Sequence, residues 1–318
     1  MELNSLTPSF ERNGLKKRDF DNSISPEVHS RVRKLNVEEK KERTKDGDKK
    51  KQIKFDPSLE TQCNAQVKKV YQIIKKCTGS LGGNGSFGAI YGEATMGCMQ
   101  RVINLMKEHC EFDATCAFID IGSGLGKPNL HVAQDPGVKI SFGIELEKVR
   151  NNLGIHNLYH VMKHTLFSTP EHHGNIFLQH GDAVEASSFD PFTHVYMFDI
   201  GFPPVTLEKI AKIFNLSQAP YLICYHSPHL VIDEYGFEVD FIIQFQTSLH
   251  GSGESRTGYI YKHIGKELKD FNHSIVAPMF EKGVRMILDE DKSALLEYIE
   301  NNRKEQFESS RPKRRCRR

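Results

Sequence analysis

Short apolar runs alternate with amphipathic helical segments from residue 117 onward, and this alternation restricts the fold more than any other feature of the chain. Strands separated by helices pair in parallel through right-handed crossovers, with helices on both faces of the sheet. The last two runs are joined by HGSGES without a helix, which is typical of a hairpin. The seven predicted strands are residues 117–121, 140–145, 175–180, 194–199, 220–225, 239–249 and 257–264. The pattern therefore predicts an α/β fold with a doubly wound, mostly parallel seven-stranded sheet and a terminal antiparallel hairpin.

Two helices are predicted ahead of the first strand. Residues 60–77 and 94–109 carry apolar side chains at helical spacing, and the Gly-rich segment 79–88 joins them. Their inward-facing positions are Val67, Val70, Ile73 and Ile74 in the first helix and Met99, Val102, Ile103 and Met106 in the second. The later helices are predicted at 128–134, 148–166, 205–214 and 289–307.

The charge of the chain is segregated, although its 318 residues sum to only +2. Residues 31–54 and 311–318 each carry a net charge of +6, whereas the body between residues 55 and 310 carries −9. Segments with so much charge bury little apolar surface and are typical of disordered arms. We predict a basic arm, a helical and Gly-rich lid region, an α/β catalytic domain and a basic tail, at residues 1–54, 55–110, 111–310 and 311–318. The basic ends are typical of solubilising arms, of nucleic-acid contacts and of nuclear import signals.

Several classes of protein are disfavoured by composition. No apolar run reaches the length of a membrane span, and the first residues lack the apolar stretch of a secretory signal. The seven cysteines are scattered and form no CxxC pair, so we expect a reducing compartment and no disulfide framework. His160 and His164 have helical spacing but lack the Glu of an HExxH motif, so no metal site is predicted.

A glycine-rich turn follows the first predicted strand, in FIDIGSGLGKP at residues 118–128. Asp120 ends the strand, and Gly122, Gly124 and Gly126 follow at alternate positions. Glycines allow a tight reversal and a close approach of a ligand to the backbone. The third glycine comes one residue earlier than in the dinucleotide fingerprint GxGxxG, a spacing that suits a nucleoside without a pyrophosphate. No GxxxxGK[ST] run is present, which excludes a P-loop.

Four successive predicted strands end in carboxylates. Asp120, Glu145, Asp182 and Asp199 lie at the ends of the first to fourth strands. Turns follow strands, so a single polar residue at such a position is ordinary. Ligands of open α/β sheets, however, bind outside the carboxyl ends of the strands, where an acid commonly holds the ribose. Four acids in register with a glycine turn favour a ligand site.

These motifs resemble, in order, those of class I S-adenosylmethionine-dependent methyltransferases. They resemble most closely the non-SET histone lysine methyltransferases of the disruptor-of-telomeric-silencing family. YGEATM at 91–96 is similar to the family's Tyr-Gly-Glu signature, and DIGSGLG at 120–126 is similar to its D-L-G-S-G-x-G. FDIGFPP at 198–204 lies where the family has N-N-F-x-F-x-P, and SGESRTGYIY at 252–261 resembles its late S-x-S-W-T-G segment.

The resemblance implies S-adenosyl-L-methionine as the cofactor. Glu145 would hold the ribose, Asp182 would accept from the adenine amino group, and the Tyr-Gly-Glu loop would cover the amino-acid moiety. The cofactor-binding residues that it implies are Tyr91, Glu93, Thr95, Asp120, Gly122, Gly124, Gly126, Glu145 and Asp182.

The resemblance also implies that Asp199, Phe202, Tyr259 and Tyr261 face an entering lysine. A lysine nucleophile must first lose a proton, and a narrow apolar channel lowers its pKa from about 10.4. The family has Asn where this chain has Asp199. An anionic Asp199 would favour the ammonium, whereas a protonated or purely orienting Asp199 would not oppose deprotonation. The two tyrosines also fit simple alternation on one face of a strand.

The function implied is methyl transfer to a lysine of a nucleosomal core histone, in the nucleus and without membrane contact. The basic ends would then attract DNA phosphate without sequence preference. One alternative is N-methylation of nucleic-acid bases or small molecules, because Asp199 with Pro203 and Pro204 partly resembles an Asp-Pro-Pro motif. Another is a non-catalytic module that binds a nucleoside or chromatin. The glycine spacing disfavours an NAD oxidoreductase.

Overall fold

The computed structural model describes residues 62–79, 94–165, 175–248 and 255–269. All of them belong to one compact unit, Lys51–Arg318. The predicted basic ends, the closing helix, nearly all of the Gly-rich segment and the hairpin loop lie outside the described residues. Within the described ranges, no helix is long and apolar enough to cross a bilayer.

A seven-stranded sheet forms the centre of the fold, with the order β3-β2-β1-β4-β5-β7-β6. Strands β1 to β5 are parallel, and β7 runs antiparallel between β5 and β6. The predicted α/β class, with a mostly parallel seven-stranded sheet and a terminal antiparallel hairpin, is confirmed. The strands are β1 Ala117–Ile121, β2 Ile140–Glu145, β3 Ile176–His180, β4 His194–Met197, β5 Tyr221–Cys224, β6 Val239–Ser248 and β7 Ser255–His263.

The strands at the middle of the sheet are buried on both faces. Every residue of β1, β4 and β5 is buried, as expected of parallel strands covered by helices on each side. Buried apolar clusters pack on the sheet, which leaves the strand ends as the places where polar side chains of the sheet can meet a ligand.

Five helices are described, and local capping fixes where the first two begin. They are α1 Ala65–Cys77, α2 Met96–His109, α3 Lys127–Val132, α4 Lys148–Thr165 and α5 Pro204–Leu216. The Asn64 side chain accepts from the N–H of Val67 at 2.8 Å. The Thr95 hydroxyl accepts from the N–H of Cys98 at 3.2 Å. Because these residues are N-caps, α1 and α2 begin later than residues 60 and 94. The apolar positions predicted to face inward in both helices are buried.

Helices α1, α2 and α3 are joined by polar contacts through the buried ring of His131. The Tyr71 hydroxyl of α1 lies 3.2 Å from His131 Nδ1 of α3, and His131 Nε2 lies 3.0 Å from Gln100 Oε1 of α2. Burial lowers the pKa of His131 to about 3, so its imidazole is neutral at pH 7. A neutral ring accepts at one nitrogen and donates at the other. These polar contacts therefore fix the N-terminal helices against the helix that follows the glycine turn.

One predicted strand is shorter in the structure, and two single helical turns lie where no element was predicted. Strand β4 ends at Met197, not at Asp199, because Asp199–Gly201 form a 3₁₀ turn. A second 3₁₀ turn, Ala183–Glu185, follows β3, and a π-helical turn, His229–Glu234, follows β5. These single turns are too short to produce an apolar repeat that a sequence pattern could reveal.

The six cysteines that lie in the described ranges are free thiols.

Candidate cofactor and acceptor site

The glycine turn after β1 requires its glycines for backbone shape and for space. Gly122, Gly124 and Gly126 have φ values of +80°, +53° and +73°, which L side chains rarely adopt. A Cβ at Gly122 would lie 2.9 Å from Phe202 Cζ, and one at Gly126 would lie 2.8 Å from Leu178 Cδ1. Glycine is therefore required at Gly122 and Gly126 for the turn to pack this tightly against its neighbours.

Glu145, at the end of β2, is hydrogen-bonded to this turn. Its Oε2 accepts from the N–H of Gly124 at 2.8 Å, and its Oε1 accepts from the N–H of Glu147 at 2.9 Å. A carboxylate has about four acceptor positions, so two backbone donors leave capacity for a ligand hydroxyl. The structure thus brings Glu145 to the glycine turn, in a position compatible with the predicted ribose contact.

A cleft of about 410 Å³, including its open mouth, lies beside the turn. Two buried polar atoms on its wall, Asp120 Oδ2 and Ser123 Oγ, have no hydrogen-bond partner among the described residues. Leaving such an atom unpaired costs roughly 1–3 kcal/mol, which a ligand in the cleft could recover. The cleft is lined by Tyr71, Ala94, Met99, Asp120, Gly122, Ser123, Lys127, Pro128, Tyr196 and Phe198.

Asp120 has the environment of a receptor for a positive charge. Its side chain is 2% exposed, and burial, followed by the charge of Glu145, raises its pKa well above the usual range. A cationic donor in the cleft would favour the carboxylate form. The amino-acid end of S-adenosylmethionine carries an ammonium that could donate to Asp120 and a carboxylate that could accept from Ser123. The residues present therefore fit this cofactor.

Asp182 follows β3 at the same edge of the sheet. Glu145 pairs in register with His180, and the N–H of Gly181 donates to the Glu145 carbonyl at 3.0 Å. Asp182 Oδ1 accepts from the N–H of Val184 at 3.1 Å. The side chain is partly exposed, so its contact with an adenine amino group stays a prediction.

The predicted covering loop is described only in part. Tyr91 and Glu93 lie outside the described residues. Ala94 lines the cleft, so the segment before α2 reaches the site. Thr95 is the N-cap of α2, and its contact with the cofactor stays a prediction.

Asp199 lies behind the acceptor side of the site rather than at its surface. It is 1% exposed, and its Oδ1 accepts from the N–H of Tyr225 at 2.8 Å. Its Oδ2 lies 2.7 Å from Nδ1 of His226, whose pKa this hydrogen bond raises. The hydroxyl of Tyr261, fully buried, donates to the His226 carbonyl at 2.7 Å. The polar atoms of Asp199 and Tyr261 are therefore used inside the protein, and their contact with an entering lysine stays a prediction.

Phe202 and Tyr259 are the predicted acceptor residues that stay partly exposed. The Phe202 ring covers Gly122 so closely that any side chain at Gly122 would collide with it. The Tyr259 ring stacks on Tyr261 with centroids 6.2 Å apart. Phe202 is therefore the acceptor-side residue that the structure brings to the glycine turn.

Sequence reasoning missed Ser123, Tyr71 and Phe198, which line the cleft, and His226, which contacts Asp199. Phe198 lines the cleft, and its ring lies 4.5 Å from that of Tyr225, next to His226. His226 follows β5 closely, so the strand-end rule that selected the four acids could also have selected it. Tyr71 gives no such signal, because it comes from a helix that precedes the sheet.

Comparisons with known proteins agree with the motifs. Residues 83–188 match the family described as "Histone methylation protein DOT1". No curated protein matches this chain as a relative.

The solved structures that match the chain share little sequence with it. A candidate RNA methyltransferase from Pyrococcus horikoshii is 16% identical, with 63% of this chain and 98% of that chain covered and a TM-score of 0.43. M. capricolum TrmK, bound to S-adenosyl-homocysteine, is 13% identical, with 68% and 88% covered and a TM-score of 0.38. Magnesium protoporphyrin IX methyltransferase from Synechocystis is 10% identical, with 63% and 95% covered and a TM-score of 0.40.

The glycine turn and the family match over residues 83–188 together support an S-adenosylmethionine-dependent methyltransferase that resembles the DOT1 family over that part of the chain.

Proposed function

We propose that this protein transfers a methyl group from S-adenosylmethionine to a lysine side chain of a nucleosomal core histone. The observation that carries the transfer is the cleft beside the glycine turn, where Asp120 Oδ2 and Ser123 Oγ lack partners among the residues that the structure describes. The histone substrate is supported by the match of residues 83–188 to the DOT1 family.

The protein's share of the reaction is to bind and orient the cofactor. When bound, S-adenosylmethionine supplies an activated methyl group on its sulfonium. Asp120 and Ser123 would hold the amino-acid end, Glu145 the ribose and Asp182 the base. Since the methyl group is already activated, alignment and exclusion of water supply most of the rate enhancement.

We assign the acceptance of the lysine proton to His226. Its Nδ1–H donates to Asp199 at 2.7 Å, which leaves Nε2 as the acceptor in the neutral ring. The His226 side chain is 16% exposed, so it is accessible where Asp199, at 1%, is not. Asp199 then orients the imidazole and stabilises its charged form, an arrangement that also offsets the negative charge of the carboxylate. Phe202, Tyr235 and Tyr259 are partly exposed, and their rings would lower the pKa of a lysine that entered beside them.

The basic ends are assigned to DNA phosphate on the nucleosome and to residence in the nucleus. Segments 31–54 and 311–318 carry +6 each, which offsets the −9 of the body that phosphate would otherwise repel.

The test offers nucleosomes, free histones and DNA side by side to the enzyme with radiolabelled S-adenosylmethionine, followed by mass spectrometry of the labelled product. Label on a histone lysine is expected, and it should be lost in Asp120→Asn. Asp240→Asn, an exposed acid on β6, is the matched control and should keep activity. Label on DNA alone would reject the histone assignment.

The residues around Asp199 give less support to methylation of a nucleic-acid base than to methylation of a lysine. Pro203 is the N-cap of α5 and Pro204 is its first residue, a position where proline suits helix initiation. The Asp199 carboxylate is engaged by Tyr225 and His226. The partial Asp-Pro-Pro pattern therefore has a structural explanation.

A further inference from the structure

A cluster of three metal-binding residue types lies away from the cleft, at the junction of α1 and α4. Cys77 is the last residue of α1, and His156 and His160 lie one turn apart on α4. One ligand atom from each residue, the Cys77 sulfur and a nitrogen of each imidazole, lies within 4.8 Å of the other two. None of the three lines the cofactor cleft.

The composition and exposure of the cluster suit a transition-metal ion. Thiolate and imidazole are the usual ligands of Zn²⁺, which is commonly four-coordinate. Residues at i and i+4 share one face of a helix, so both imidazoles can bind the same ion. The rings lie 4.5 Å apart at 63°. His156 is buried whereas Cys77 and His160 are partly exposed, which gives an ion a route from solvent.

The cluster is built on a rigid frame. Ile73, Ile74 and Leu158 belong to one buried core that packs α1 against α4. Immediately after Cys77, the Thr78 hydroxyl donates to Asn157 Oδ1 at 3.0 Å. Ligands held on packed helices lose little freedom when a metal binds, which favours affinity.

We propose that Cys77, His156 and His160 form a binding site for a transition-metal ion, with Zn²⁺ as the best match to this ligand set. The three residues supply three of four positions, and water or an exogenous ligand completes the coordination. The sequence pattern directed attention to His160 with His164, but His164 is exposed. His156, one turn in the other direction, belongs to the cluster.

The site connects physically to the cofactor turn. Asn157 Nδ2 donates to the Leu125 carbonyl at 3.3 Å, within the glycine turn. Gly154 packs so closely that a Cβ there would lie 3.2 Å from the Gly124 carbonyl oxygen. An ion that fixes α1 to α4 therefore stabilises the elements that support the turn, by binding the folded state and not the unfolded one.

The first experiment titrates chelator-treated full-length protein with Co²⁺, in the presence of a phosphine reductant, and follows the absorption. We expect one equivalent to bind with a thiolate-to-cobalt charge-transfer band and visible bands typical of tetrahedral coordination, and Zn²⁺ to displace it. Cys77→Ser should abolish the charge-transfer band, and His160→Ala should weaken binding by at least about tenfold. His164→Ala, the exposed histidine of the same helix, is the matched control and should bind as the wild type does.

A second measurement separates the site from general folding defects. Zn²⁺ should raise the Tm of the wild type and of His164→Ala but leave the Tm of Cys77→Ser unchanged. A charge-transfer band that persists in Cys77→Ser, or an equal rise of Tm in that variant, would overturn the proposal, as would the absence of Co²⁺ binding to the wild type. These readouts require no methyl transfer. The metal-site proposal can therefore be refuted while the proposed enzymatic function stands, and the enzymatic function can be refuted while the metal site stands.

Discussion

Replacing Asp199 with Asn tests the acceptor side most directly, because it removes a charge while preserving size. The amide oxygen can still accept from the N–H of Tyr225, but the amide NH₂ then faces Nδ1 of His226. An NH₂ group donates, so the imidazole must accept at Nδ1 and carry its proton on Nε2. The nitrogen assigned to receive the lysine proton is then already protonated.

The size of the effect follows from the two roles of the pair. Loss of a positioned general base lowers kcat by roughly 10²–10⁴-fold. The hydrogen bond between the carboxylate and a protonated His226 contributes about 1.5–3 kcal/mol to stability. Because Asp199 raises the folded-state pKa of His226, that contribution is fully present below the unfolded pKa of about 6.5 and is lost as pH rises through the folded pKa.

The assay measures kcat for nucleosome methylation and the free energy of unfolding between about pH 5 and 8, near the ordinary histidine pKa. The kcat of Asp199→Asn should fall, and its pH profile should no longer show the change that titration of His226 causes. The loss of unfolding free energy relative to the wild type should be largest at acid pH. Asp233→Asn is the matched control, since His229 and Asp233 form a similar contact of 3.1 Å with side chains 70% and 41% exposed. Wild-type kcat in Asp199→Asn, or a stability deficit that grows with pH, would refute the role assigned to the pair.

The remaining predictions concern the cofactor turn and the basic tail. Asp120→Asn should weaken cofactor binding in calorimetry while raising the ligand-free Tm, since a buried carboxylate whose Oδ2 has no partner among the described residues is removed. A non-glycine residue in the left-handed conformation costs roughly 1–2 kcal/mol, and Gly126→Ala should lower the free energy of unfolding by more than this because its Cβ meets Leu178. Gly236→Ala, with φ +77° and open space around its Cβ, is the control and should show the backbone cost alone. Deletion of 311–318 should weaken nucleosome binding and flatten its salt dependence without changing cofactor affinity; unchanged binding at low salt would contradict that role.

The sheet was predictable from sequence because its information is local. Ala117–Ile121 and Ile140–Glu145 have the predicted bounds, since a buried run followed by a glycine or an acid marks both ends of a strand. Pro128 was correctly placed in the first turn of α3, where its missing N–H is tolerated. The position of β7 between β5 and β6 was not predicted, because strand order depends on long-range pairing.

The site was predictable only for residues whose positions are fixed by the register of a strand. Glu145 reaches the glycine turn as expected, because strand register carries it there. The roles of Asp199 and Tyr261 depended on which side of the backbone their side chains occupy after the strand has ended. At that point the period of two no longer applies, and only the tertiary structure reveals that both contact His226.

The Asp that this chain has where the family carries Asn can be understood from its two contacts. The contact with the N–H of Tyr225 needs only an acceptor, which an amide oxygen supplies as well as a carboxylate. The contact with His226 Nδ1 is different, because only a carboxylate fixes the ring with its proton on that nitrogen and stabilises the charged imidazole. A carboxylate at 1% exposure is unfavourable without such a partner. Asp199 and His226 therefore function together, and the acceptor chemistry of this chain should depend on the histidine in a way that an Asn-containing relative's would not.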